Sequence, residues 1–502
     1  MRDCLADLAA LREAYNAICR ALPWLDASAW EHERPAFESH AKPLSTAHAR
    51  AVSAGDAYAG RIAEIQERMG VDLLRFDPSR CGPVDRLDPL FPEMAAQRMP
   101  LVVLHTDLGF EEIGALAEKH PDLAIIVESG PRKLLYHYAQ VLDLLRNHPN
   151  CHLSTHNFDN WQGIEEFVTL GLGDRLLYGT HGPAVSPDVA MGPIAMGRLS
   201  WEQKCAVAGN NLRRLLGQSP ETPAEVPFSP PPPFIIDAHT HSIDFGVEPP
   251  FGFHTPDTDM RPSDWTAFMD AVALDALILM PGESLKDADR TCAHYCEALR
   301  RQAPERFFYL EVFHPNVGAD HEERVAQSLN DPACLGIKIH PTGAEIPADD
   351  DAFAPAYRLA AAADKVVMSH TWEISSYNPK QYLSHPDRFR PHLERHPDLR
   401  FVFGHAGGRP STIDAVTRLT AEFPNAYVDV AGDYYDNGLV DCLADRLGAN
   451  RVLYASDMDW MDPRCNMALV LGSNLSDQNM LQVLRENALR VYRPSNAPVP
   501  QG

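Results

Sequence analysis

FIIDAHTHS, residues Phe234 to Ser242, is a largely apolar run that turns polar within a few positions. Its first part, Phe234 to Ala238, has the character of a strand buried on both faces, as strands of parallel sheets are. It runs out into His239 and His241, which lie two apart and therefore on one face, where both imidazoles can meet one ion. Four later apolar runs end the same way: LGIKIHP with Lys338 and His340, KVVMSHTWE with His370, RFVFGHAGG with His405, and RVLYASDMD with Asp457. Helical stretches separate them, a pattern of parallel α/β units. In a TIM-like (β/α)8 barrel the carboxyl ends of the strands converge on one pocket, so these distant side chains become neighbours. The sequence predicts such a barrel from about Phe234 to Tyr492.

Upstream, QSPETPAEVPFSPPPP (Gln218 to Pro233) holds seven prolines in sixteen residues and reads as an extended linker. At 502 residues the chain is too long for one ordinary core. The expected organisation is a domain over 1–217, a linker over 218–233 and a second domain over 234–495. The two halves resemble each other. HPDLAIIVESG, from His120, parallels HPDLRFVFGHAG, from His396, and LGDRLLYGTH, ending at His181, parallels LGANRVLYASD, ending at Asp457. Ser129 and His181 are separated by the same interval as His405 and Asp457. This reads as a duplication. In the first half His105 is set opposite His370 and Arg75 opposite Lys338, but Ser129 stands for His405, His181 stands for Asp457, and no IDxHxH precedes Arg75. The first half is therefore expected to be a partial or degenerate, non-catalytic barrel that covers the second like the partner in a dimer, as an intrachain pseudo-dimer; a homo-oligomer is the other expectation. About the first seventy residues look mainly helical.

Composition narrows the function. A formal charge of −25 without a basic stripe argues against nucleic acid or an anionic membrane as partner and leaves a small molecule. No apolar run approaches the roughly 18 residues of a membrane span, and the start, MRDCLADLAALREAYNAICRAL, lacks the plan of a secretion signal, so the expected compartment is the cytoplasm. The ten cysteines include no CxxC pair, which fits buried thiols. Cys292 and Cys296 share a helix face, but two ligands do not close a zinc site. His314 is expected to be core or loop polarity.

IDAHTH, the GHAGG after His405's strand and the ASD ending at Asp457 together resemble the amidohydrolase superfamily, in particular the amidohydrolase-related group that includes aminocarboxymuconate-semialdehyde decarboxylase. The resemblance is full over Phe234 to Tyr492 and weaker over His105 to Leu216. It implies that His239, His241, His370 and Asp457 bind a divalent metal, most often one Zn²⁺, and that His405 is an acid/base or oxyanion-stabilising group. Imidazoles with a carboxylate suit zinc, and an open position would hold a water of lowered pKa. Asp457 would both bind the ion and take that water's proton. Lys338 would bridge two ions if carbamylated, or pair a substrate carboxylate beside a single ion, the reading preferred here. Trp372 and His340 are expected substrate contacts, with Glu373 beside them. The first expectation is a metal-dependent hydrolase acting through activated water, the alternative a non-oxidative decarboxylase, and the third a non-catalytic scaffold. Specificity would come from loops such as SIDFGVEPPFGFHTPDTDMRP and TWEISSYNPKQYLSHPDR.

Overall fold

The computed structural model describes residues 4–22, 62, 72–129, 137–241, 262–374 and 378–494; the loop 242–261 and most of the first seventy residues lie outside them. The chain forms two compact units, Tyr15–Phe228 and Ser229–Gly502, the latter joined by Met1–Ala14. At the amino terminus a helix spans Cys4–Ala21.

The first unit holds a parallel sheet of β1 (Leu74–Arg75), β2 (Leu101–Leu104), β3 (Ile125–Glu128), β4 (Cys151–Ser154) and β5 (Leu176–Leu177), paired in chain order. The second holds β6 (Ile235–Thr240), β7 (Leu274–Leu279), β8 (Phe307–Val312), β9 (Cys334–Ile339), β10 (Val366–Ser369), β11 (Phe401–Phe403), β12 (Ala426–Asp429) and β13 (Val452–Leu453), again parallel and in chain order. First and last strands meet: the Ala238 N–H donates to the Tyr454 carbonyl (3.1 Å) and the Asp457 N–H to the His239 carbonyl (2.9 Å). The sheet is a (β/α)8 barrel, as the strand-end series predicts.

All eight barrel strands are buried along their whole length. That is why their sequences do not alternate: core side chains fill one face and helices cover the other. One seam is polar. Asp237 of β6 accepts from the Ser456 hydroxyl (2.5 Å) and N–H (3.1 Å), tying the first strand to the segment after β13, and burial pushes its carboxyl up to about 8. Gly336 of β9 lies level with Val366 of β10, where a Cβ would run into the Val366 carbonyl.

Several contacts of the first sheet have parallels in the barrel. Ile125 pairs with Cys151 and Leu153 with Leu176, as Phe401 pairs with Ala426 and Val428 with Val452. The Tyr178 N–H bonds the Val207 carbonyl and its hydroxyl the Pro187 carbonyl; Tyr454 treats Val483 and Pro463 alike. The Asn211 amide donates to the carbonyls of Gly173 and Leu176, and the Asn487 amide to those of Ala449 and Val452. A π-type turn follows at Ala206–Asn210 and again at Gln482–Glu486. If the two halves are aligned as their sequences suggest, with Glu128 opposite Gly404, the strand registers set Leu104 rather than His105 opposite His370, and Arg75 opposite Lys338.

Candidate metal centre and active site

Three ligand atoms, one each from His239, His241 and Asp457, lie within 4.8 Å of one another at the carboxyl end of the barrel. The Nε2 atoms of His239 and His241 stand 3.3 and 3.1 Å from Asp457 Oδ1. Both rings are held from behind. His239 Nδ1 is 3.1 Å from Asp429 Oδ2, and His241 Nδ1 is 2.6 Å from the Met280 carbonyl. Because those partners only accept, each ring carries its proton on Nδ1 and turns the Nε2 lone pair inward. Two lone pairs and a carboxylate converging in a buried place repel one another unless a cation joins them, so this donor set fits a divalent ion. Burial alone would raise the Asp457 carboxyl, but His405, His239 and His241 around it outweigh that and hold it well below the ordinary range. Asp457 has φ 68°, a left-handed turn after β13 that aims its carboxylate back over the barrel.

Lys338 is not at the rim. It is 1% exposed, with Nζ 3.2 Å from His239 Nε2 and 3.1 Å from Met368 Sδ. Among the described residues no carboxylate lies within ion-pair distance of it. Desolvation pushes its amine down to about 8, against the opposing pull of Asp457 and Asp429.

His370 stands next to the three-ligand group rather than in it. Its Nδ1 is 3.0 Å from His405 Nε2 and its Nε2 is 2.9 Å from Gln381 Oε1. His405 follows β11 with φ 59°; its N–H donates to Asp429 Oδ1 (2.7 Å), and its Nδ1 lies 3.2 Å from the Ala431 carbonyl and 3.9 Å from Asp457 Oδ2. Burial pushes the His405 imidazole down to about 4, so it is a neutral base at pH 7. Gly404 makes the room: a Cβ there would sit 2.7 Å from the Ser369 carbonyl and 3.3 Å from the His239 ring.

His340 stacks flat on His370 (4.2 Å, 7°), and its Nδ1 accepts from the Gly343 N–H, capping the short helix Pro341–Ala344. Trp372 also stacks on His370 (5.5 Å), meets His405 edge-on (5.2 Å) and carries Arg409 over its face (4.8 Å). These two residues thus wall the imidazoles, and Glu373, half-buried beyond them, has its carboxyl raised by burial. His314 bonds the Ser284 carbonyl at 2.7 Å and is a structural polar residue. The Cys292 and Cys296 thiols are buried and free, and Cys292's N–H donates to Glu311.

Three residues escape sequence reasoning. Asp429, inside AYVDV, ends its strand with a carboxylate and carries the same signal as Asp457. Trp460, stacked on His241 at 4.0 Å, and Gln381, in the loop after β10, carry none, because their placement depends on loop conformation.

No curated protein matches the chain. Solved structures resemble its fold at low identity. They include 5-carboxyvanillate decarboxylase of Novosphingobium aromaticivorans, complexed with manganese and 4-hydroxy-3-methoxy-5-nitrobenzoic acid (15% identity, 52% of this chain and 96% of that one, TM-score 0.40). Others are 2,6-dihydroxybenzoate decarboxylase from Rhizobium (14%, 52% and 99%, 0.38) and a putative amidohydrolase from Staphylococcus aureus (15%, 52% and 99%, 0.38). No helix among the described residues is long and apolar enough to cross a membrane. The amidohydrolase family model matches residues 236–493, just over half the chain and the whole of the barrel with its converging imidazoles and carboxylate, and the chain belongs to that family.

Proposed function

We propose that the barrel removes CO₂ from a small carboxylic acid with the help of one divalent ion held by His239, His241 and Asp457, with His370 as a fourth donor. The observation that carries this reading is the buried Lys338 ammonium, which has no carboxylate partner among the described residues. Around the site stand Asp457, Asp429 and Lys338; a divalent cation added to these leaves a net positive pocket, which favours an anionic substrate. Nζ now rests on the His239 lone pair that the ion takes, so with the ion in place the ammonium is free to hold a carboxylate. The ion supplies Lewis-acid stabilisation of developing negative charge. Lys338 orients the substrate, Trp372 and His340 pack the imidazoles that face it, and Asp429 fixes the His239 tautomer. Two imidazoles and a carboxylate accept zinc or manganese alike.

Hydrolysis is the second reading, favoured by His405: a neutral base beside Asp457 suits proton removal from water. A panel of aromatic and unsaturated carboxylic acids, amides and esters, tested with Mn²⁺ and Zn²⁺, separates the two. Released CO₂ supports decarboxylation; acid with amine or alcohol supports hydrolysis; no turnover, with no ion bound, leaves a scaffold.

The first unit reads as a silent copy of the barrel's later part. Ser154 takes the place of Asp429, His181 that of Asp457 and Ser129 that of His405, so both carboxylates are gone. Glu128 stands where Gly404 stands and pairs with Arg75 at 2.8 Å, a partly exposed ion pair at the positions of the barrel's Gly404 and Lys338.

A further inference from the structure

We propose that Gln381 is a positioning residue that decides which nitrogen His370 turns toward the site; this rests on the cation reading above and assigns a role outside its ligand set. Gln381 lies in the turn Pro379–Ser384, in the loop between β10 and β11, and its side chain is buried. Its Oε1 is 2.9 Å from His370 Nε2 and also accepts from the Thr342 hydroxyl at 3.1 Å. An amide oxygen can only accept, so His370 carries its proton on Nε2 and the lone pair is left on Nδ1. Nδ1 faces His405 Nε2 at 3.0 Å.

That contact is frustrated. The Ala431 carbonyl takes the proton of His405 Nδ1, so in that tautomer two lone pairs face each other between His370 and His405. A cation on His370 Nδ1 resolves the conflict and leaves His405 Nε2 as a free base. Gln381 is held in turn by the loop: Thr342 also shares a hydrogen bond of 2.7 Å with the Ser384 hydroxyl, and the Trp372 N–H donates to the Ser384 carbonyl. The turn Pro379–Ser384 therefore sets the state of His370 through one amide.

The test is Mn²⁺ affinity of the full chain, measured by competition with a chromophoric chelator. Gln381→Leu, close in volume but unable to accept, should weaken binding roughly 10- to 100-fold. Gln381→Glu, which still accepts from Nε2–H, should restore it to near the parent value. Equal affinity in parent and Gln381→Leu overturns the inference, as does failure of Gln381→Glu to rescue. A parent chain that binds neither Mn²⁺ nor Zn²⁺ instead overturns the cation reading beneath it.

Discussion

Lys338 is kept in the barrel at the expense of stability. Its amine is pushed down to about 8 by burial, so the folded chain disfavours the ammonium that the unfolded chain carries freely. Below pH 8 both states are charged and the full penalty applies. Between about 8 and the ordinary lysine value near 10.5 the folded chain gives up its proton first, the unfolded state binds more protons, and stability rises with pH. Lys338→Met should therefore raise the Tm of metal-free protein at pH 7 by on the order of a few degrees, an advantage that fades by about pH 10.5, while turnover is lost. A variant that melts no higher than its parent at pH 7 would show that the ammonium is not a burden, and the argument for a substrate carboxylate would lose its footing. Stability given up at a reacting centre in this way is a usual feature of enzymes.

At the scale of elements, the barrel depends on close backbone approach at Gly336. A Cβ there meets the Val366 carbonyl of the neighbouring strand, which cannot swing aside as a side chain would. Gly336→Ala should destabilise the protein by about 1–3 kcal/mol, read from urea unfolding; an unchanged midpoint would mean that β9 and β10 have slack. The strands themselves are legible in the sequence, since each of LGIKIH, KVVMSH, RFVFGH and RVLYASD joins an apolar run to one polar terminus, and β10, β11 and β13 lie within those stretches while β9 begins one residue earlier, at Cys334. Asp429 obeys the same rule and is missed because its work is done on His239 and on the His405 backbone rather than on an ion. Gln381 is beyond such reasoning: a loop amide becomes part of the site only through the path of the chain around it. The tautomers of His239, His241 and His370 are set by acceptors on other strands and loops, so they become readable only once the fold is known. The placing of His105 opposite His370 fails for a related reason, because a slip of one residue between similar apolar strands leaves sequence similarity almost unchanged but moves every side chain to the other face.

For the molecule as a whole, an ion that binds only the folded barrel adds to its stability. At a hundredfold excess over Kd the gain is about 2.7 kcal/mol, so chelator treatment should lower Tm by roughly 5–10 °C, with recovery on adding Mn²⁺ or Zn²⁺. A melting curve indifferent to chelator and to both ions would remove the metal from the account. On the proposed reading of the first unit as a silent copy, with Ser154 and His181 in place of Asp429 and Asp457, it is expected to contribute nothing to that shift.

The ion pair of Arg75 with Glu128 has a further consequence for how this chain can change. If the first unit is a silent copy, as proposed, an ion there requires new residues at Leu104, Glu128, Ser154 and His181 together. Placing Asp at 181 alone leaves the room occupied by Glu128, and removing Glu128 alone leaves Arg75 without its partner. On the proposed reading of the first unit as a silent copy, each single step is therefore expected to restore no ion, so the route back to chemistry needs several changes at once.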